Sequence, residues 1–282
     1  MFNLIASRLN SVSLMVVRIE LVCGEVTLGF ATAFYDRIDG RKFLVTNWHC
    51  VTGREPHNGR CKADDGITPD SIIIWNHHVP IKDGQIQPFE TKAFHTADRR
   101  KIPIDYGAGT RWRMHPAGQS IDLVIIELND DEGGVLDCCL SNLIPQRDTQ
   151  LDIGDDVVII GFPIGLTPTG TLPLWKSGYV ASEPTFPAND ESCFWIDAAT
   201  RPGMSGSPVF KRSRQTTRPA RPTSIPLSKL IVEDPGGLLF AGIYSGRIGK
   251  ADLLEAQLGK VWAPGLIHEI VVGGVDLHYR ET

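Results

Sequence analysis

Arg201-Pro202-Gly203-Met204-Ser205-Gly206-Ser207-Pro208 sets a serine between two glycines, just ahead of the apolar pair Val209-Phe210. Flanking glycines permit a tight backbone that aims the amides of Gly203 and Ser205 at one point, and two converging donors suit the oxyanion of an acyl transfer. Short apolar runs surround this turn on both sides. Upstream lie Asp156-Val157-Val158-Ile159-Ile160-Gly161-Phe162, Trp175 to Ala181 and Phe194-Trp195-Ile196; downstream lies Leu238-Leu239-Phe240-Ala241-Gly242-Ile243-Tyr244. Each reads as a strand.

The first third has the same style, with strands at Ser13 to Ile19, Gly29 to Phe34 and Lys42 to Thr46, the last following the turn Ile38-Asp39-Gly40. A long polar segment from Gly53 to Gln119 is broken by Ile72-Ile73-Ile74-Trp75 and ends at the wholly apolar run Asp122-Leu123-Val124-Ile125-Ile126. The acidic stretch Asn129 to Gly134 marks a boundary. It divides the chain into a half over 10–130, a linker over 131–152 and a half over 153–282. Helical spacing appears at Trp262, Leu266, Ile267, Ile270 and Val271, with Pro264 in a first turn, and predicts a closing amphipathic helix. With 28 glycines and 19 prolines among these runs, the pattern is all-β, a sandwich or barrel with many turns.

The 282 residues are 42% hydrophobic and 22% charged, which excludes general disorder. A net charge of −5 gives no global attraction for nucleic acid or an anionic membrane. No run reaches the length of a membrane-spanning helix, and the segment from Met1 to Leu21 lacks the charged start of a secretory leader. Six irregularly spaced cysteines, two of them adjacent, read as thiols in a reducing, cytoplasmic compartment. The basic segment 211–222 reads as a solvated loop and Asn76-His77-His78 as a loop pair. No ligand set, Walker loop or dinucleotide fingerprint accompanies them, so no metal or cofactor is expected.

Serine acyl transfer also needs a base and a carboxylate that fixes the base's tautomer. Thr46-Asn47-Trp48-His49-Cys50 puts a histidine at the end of an apolar strand. Ser120-Ile121-Asp122-Leu123-Val124 puts an acid at the mouth of another, where desolvation demands a hydrogen-bonded partner. His49 is the candidate.

In the order His, Asp, Ser, the blocks T-N-W-H-C, S-I-D-L-V and G-M-S-G-S-P resemble the three signatures of the trypsin-like, chymotrypsin-fold peptidases. The resemblance is nearest to intracellular bacterial trypsin-like peptidase domains, through Trp112 to Pro116, Trp175-Lys176-Ser177-Gly178 and Ser182-Glu183-Pro184. It implies two six-stranded antiparallel β-barrels with the active site in the cleft between them, and a C-terminal helix. It makes His49 the general base, Asp122 its orienter, Ser205 the nucleophile and the Gly203 and Ser205 amides the oxyanion hole. Ser245, beside Gly246, matches a serine near the buried aspartate on the strand that pairs with substrate. The implied function is a serine endopeptidase acting on a protein or peptide substrate, with a regulatory protein partner or mobile loop controlling it. A peptide-binding or scaffolding module without turnover is the alternative on the same fold.

Three positions depart from the digestive members. Met204 replaces the aspartate that binds a new amino terminus, so activation by N-terminal cleavage is not expected. No cysteine stands in Gly29 to Phe34 to bridge Cys50. Ala199 stands where an aspartate would select Arg or Lys, leaving Thr200 and Tyr244 to line a pocket of undefined preference.

Overall fold

The computed structural model describes residues 9–77, 81–82, 85–86, 97–104, 111–129, 132, 138–144, 150–167, 170–186, 192–212, 232–233, 237–248 and 257–275. The first half forms β1 (Val16–Cys23), β2 (Val26–Ile38), β3 (Arg41–Thr46), β4 (Ser71–His77), β5 (Ala97–Pro103), β6 (Trp112–Met114) and β7 (Val124–Leu128). These make an antiparallel seven-stranded sheet in the order β5-β4-β1-β2-β3-β7-β6. The second half forms β8 (Asp156–Gly161), β9 (Leu174–Val180), β10 (Cys193–Asp197), β11 (Pro208–Arg212), β12 (Leu238–Arg247) and β13 (Leu258–Trp262). They close into a barrel in the order β8-β9-β10-β13-β12-β11.

The second half therefore matches the expected six-stranded barrel, whereas the first sheet has seven strands and stays open. The reason lies at the outer edge of β6, where Met114 exchanges both backbone hydrogen bonds with Val275 instead of pairing with β5. The Trp112 indole spans the seam by donating to Ile104 O at 3.3 Å. A side chain thus stands in for a ladder.

The continuous apolar runs reflect burial on both faces. Successive strand residues point to opposite sides, so Ala31, Ala33 and Tyr35 of β2 fill the interior of the first sheet while Phe34 faces the second half. In β8, Val157 and Ile159 fill the barrel, while Val158 and Ile160 join Phe34, Val45 and Ile125 in a core between the halves. The hairpin turn at Asp39-Gly40 has φ of 49° and 77°, as a two-residue loop matching strand twist requires.

Two sequence expectations shift. Ser13 to Ile19 is not all strand: α1 (Ser11–Met15) comes first, because Asn10 Oδ1 accepts Val12 N–H at 3.0 Å and caps a helical turn. Trp262 ends β13, and after the short α3 (Leu140–Leu143) the closing helix α4 is Gly265–Gly273, with Pro264 at its N-cap and Leu266, Ile267, Ile270 and Val271 buried. Arg113 donates to Val271 O at 2.9 Å and to Gly274 O, covering carbonyls that the helix end leaves open.

His77 is buried at the end of β4, while His78 lies outside the described residues. Its Nε2 stands 2.9 Å from Val16 O, which only accepts, so this nitrogen carries the proton; Nδ1 stands 2.8 Å from Thr171 Oγ1 in the other half. Burial lowers its pKa to about 4, outweighing the carbonyls of Val16 and Ser13 that favour the charged form. Between pH 6.5 and 4 the unfolded chain binds the extra proton, so this contribution is complete above 6.5 and is lost as pH falls toward 4. Between pH 7 and 5, urea unfolding should cost the wild type about 2 kcal/mol more stability than His77→Gln. Equal losses would contradict this origin.

Candidate active site

The end of β3 and the start of β7 bring a histidine and an aspartate together. After β3 the extended Asn47 opens α2 (Trp48–Thr52), which Gly53 closes in the left-handed conformation with its N–H on His49 O. Trp48, Cys50 and Val51 pack into the first sheet's interior, leaving His49 toward the cleft. Buried Asn47 donates through Nδ2 to Asp122 O at 2.7 Å, joining the two segments directly.

Asp122 is 1% exposed and accepts three hydrogen bonds. They come from His49 Nδ1 at 2.7 Å, His49 N–H at 2.8 Å and Ser245 Oγ at 2.5 Å. Three donors offset the cost of burying a carboxylate. They also fix the ring, because a carboxylate oxygen on Nδ1 leaves Nε2 for the cleft. Burial disfavours the imidazolium, but the Asp122 carboxylate, with a smaller contribution from Cys50, overrides it and raises the His49 pKa above its ordinary value.

The serine loop is held at every carbonyl from Pro202 to Ser205. Ile164 N–H donates to Pro202 O at 2.6 Å, Thr32 Oγ1 to Gly203 O at 2.8 Å, Ser207 N–H to Met204 O at 3.0 Å and Thr32 N–H to Ser205 O at 2.9 Å. Among the described residues, the amides of Gly203 and Ser205 have no acceptor. Gly203 has φ of 91°, and a Cβ there would stand 2.5 Å from Phe162 O; one on Gly206, at φ 85°, would collide with Thr32 O. Both positions require glycine. Ile164 itself sits at φ 47°, a conformation that β-branched residues avoid, and it is 62% exposed. Met204 is fully buried in the barrel core, where its thioether packs.

His49, Asp122, Ser205, Gly203, Tyr244, Ser245 and Gly246 line one cleft of about 640 Å³. No hydrogen bond joins His49 to Ser205 in this state of the described residues. Ala199 and Thr200 do not line the cleft: Ala199 is exposed, and Thr200 is buried behind Tyr244 with its Oγ1 on the tyrosine hydroxyl. No disulfide involves the six cysteines, and Cys50 is a buried thiol. Trp48 is core, whereas Trp175 is half-buried and donates to Ser13 Oγ at 3.0 Å. Among the described residues no His, Cys, Asp or Glu cluster could hold a metal.

Residues 31–216 match the family model of the trypsin-like peptidase domain. The chain belongs to this family. No curated protein matches it significantly. Among solved structures, it is similar to the serine endoprotease from Yersinia pestis, at 13% identity and TM-score 0.50, covering 93% of this chain and 63% of that one. It is also similar to the active form of the Rv3671c protease from M. tuberculosis, at 13% identity and TM-score 0.47, covering 94% and 83%. At such identity the likeness to the Yersinia structure is one of fold.

Within this peptidase domain, nothing in the residue order marks Thr32, whose alternation Ala31-Thr32-Ala33 looks like any half-polar strand, or the strained Ile164. Asn47 stood inside the histidine block but carried no assigned task. Thr32→Val, which keeps the shape and removes the hydroxyl, should lower unfolding free energy by about 1–3 kcal/mol by stranding Gly203 O and Phe162 N–H, the second of which bonds Thr32 Oγ1 at 3.1 Å. Thr32→Ser should retain most of it; equal losses in denaturant titrations would contradict the hydroxyl as the source. By NMR the His49 ring should titrate above 6.5, and Asp122→Asn should bring it down, because burial then acts unopposed. An unchanged titration would deny the coupling.

Proposed function

We propose that this protein is a serine endopeptidase that hydrolyses peptide bonds of protein substrates through an acyl-enzyme. The observation that carries the reading is the buried Asp122 carboxylate bonded to His49 Nδ1, in the same cleft as Ser205 and two amides that have no acceptor among the described residues.

In this mechanism His49 Nε2 takes the Ser205 hydroxyl proton as Oγ attacks the scissile carbonyl, and Asp122 stabilises the imidazolium that forms. The amides of Gly203 and Ser205 receive the oxyanion. His49 then protonates the leaving amine, and water, activated by the same ring, releases the acyl group. The chemistry needs no metal or cofactor. Substrate backbone runs along Tyr244, Ser245 and Gly246. Because the raised pKa of His49 keeps the ring charged at low pH, the acid limb of kcat/KM lies above 6.5.

Activity is expected without N-terminal trimming. Thr32 and Ile164 hold the loop that an ion pair to a new amino terminus would otherwise order, and Met204 has no charge to contribute. Control falls instead to a regulatory partner or mobile segment; the basic residues 213–222 lie outside the described residues. A cytoplasmic location is part of the proposal and rests on the irregular thiols. No helix among the described residues is long and apolar enough to cross a membrane.

The test is turnover of an unbiased peptide library. Ser205→Ala should abolish hydrolysis, and Asp122→Asn should lower kcat by about four orders of magnitude. Ser207→Ala should remain active. A loss of only a few-fold in Asp122→Asn, or full activity in Ser205→Ala, would contradict the triad.

A further inference from the structure

Thr200 and Tyr244 were expected to line a side-chain pocket beside Ser205. Their own side chains occupy that space. Tyr244 lies on β12 immediately before Ser245 and borders the cleft, and its side chain packs in the barrel core with Ile196, Met204 and Val261. It is 2% exposed. The hydroxyl is anchored on Thr200 Oγ1 at 2.5 Å, on the segment leading to the serine loop. The ring lies flush against β13: a Cβ on Gly259 would stand 2.5 Å from Tyr244 Cε2. One tyrosine therefore fills the gap between the Thr200 segment and β13, and the glycine opposite is what gives it room.

We infer that Tyr244 is a specificity-determining plug: it restricts the residue that supplies the scissile carbonyl to small side chains, Gly, Ala or Ser. The inference rests on the endopeptidase reading above. With the carbonyl at Ser205 and its oxygen on the Gly203 and Ser205 amides, that residue's side chain enters between Pro202-Gly203 and Ser245-Gly246. The floor of that slot is closed. A Leu, Phe or Arg side chain would have to displace a buried ring and break its hydrogen bond, leaving Thr200 Oγ1 unsatisfied in the core. A methyl or hydroxymethyl group needs no such displacement. The same cleft extends to Leu28, Phe30 and Ile67 of the first half, which offer apolar walls for longer side chains at neighbouring substrate positions.

The experiment compares kcat/KM for matched peptides that differ only at the residue before the scissile bond, using the full-length chain and its Tyr244→Ala and Tyr244→Leu variants. Wild type should favour Ala, Ser or Gly over Phe and Arg by at least about 100-fold, a discrimination within reach of steric exclusion from a packed site. Tyr244→Ala, or Tyr244→Leu if the smaller residue prevents folding, should raise kcat/KM for Phe or Leu peptides by about tenfold or more. Equal or better cleavage after Phe or Arg by wild type overturns the plug, as does an unchanged profile in a folded variant. Labelling of wild type by a small fluorophosphonate, which requires no side-chain pocket, separates the two layers. Labelling with a preference for large residues overturns only this inference, whereas neither labelling nor hydrolysis overturns the endopeptidase reading as well.

Discussion

Thr32 is the point on which the two halves and the reactive loop converge. It stands on β2 of the open sheet, fully buried, and each of its polar groups is engaged. Its N–H meets Ser205 O, its hydroxyl donates to Gly203 O and accepts from Phe162 N–H, and its carbonyl accepts from Thr46 Oγ1 at 2.9 Å. The loop is thereby registered against the strand that leads into His49. If Thr32 shifted, the Gly203 and Ser205 amides and the histidine would lose their common frame. With Met204 buried and uncharged, neutral hydrogen bonds from Thr32 and Ile164 hold the loop that carries these amides.

The rest of the fold makes such precision affordable. Apolar residues on alternate faces of β2, β7 and β8 build one core inside each half and a third between them, which fixes the relative position of the halves. At roughly 1.5–3 kcal/mol for each fully buried Val, Leu, Ile or Phe, the intervening core offsets the desolvation of Asp122, Thr32 and Asn47 and the strain at Ile164. The α4 helix and Arg113 clip the chain's later part onto β6, the edge at which the first sheet fails to close.

Much of this was legible in the residue order. Short apolar runs mark the strands, the Asp39-Gly40 turn marks a hairpin, and the three blocks around His49, Asp122 and Ser205 meet in one cleft. What escaped depended on contacts between distant segments. The open first sheet follows from Val275 pairing with Met114, some 160 positions apart, which no local pattern encodes. Trp262 fits a helical stripe by spacing but is claimed by β13, since ladder hydrogen bonds to Cys193 and Ile243 outcompete one more helical turn. His77 looked like part of a loop pair, yet two halves close over it. Thr200 reads as a pocket wall from its place before the serine loop, yet it is buried behind Tyr244, because position along the chain does not say which way a side chain turns.

The proposed catalysis requires that Ser205, activated by a histidine held on Asp122, form a covalent acyl intermediate. The most direct measurement is acid-quench mass spectrometry of the full-length protein turning over a slowly deacylating peptide ester, followed by peptide mapping. One acyl group per chain is expected, on Ser205, accumulating faster as pH rises above 6.5. Turnover without an acylated Ser205, or with the acyl group on another residue, would contradict it.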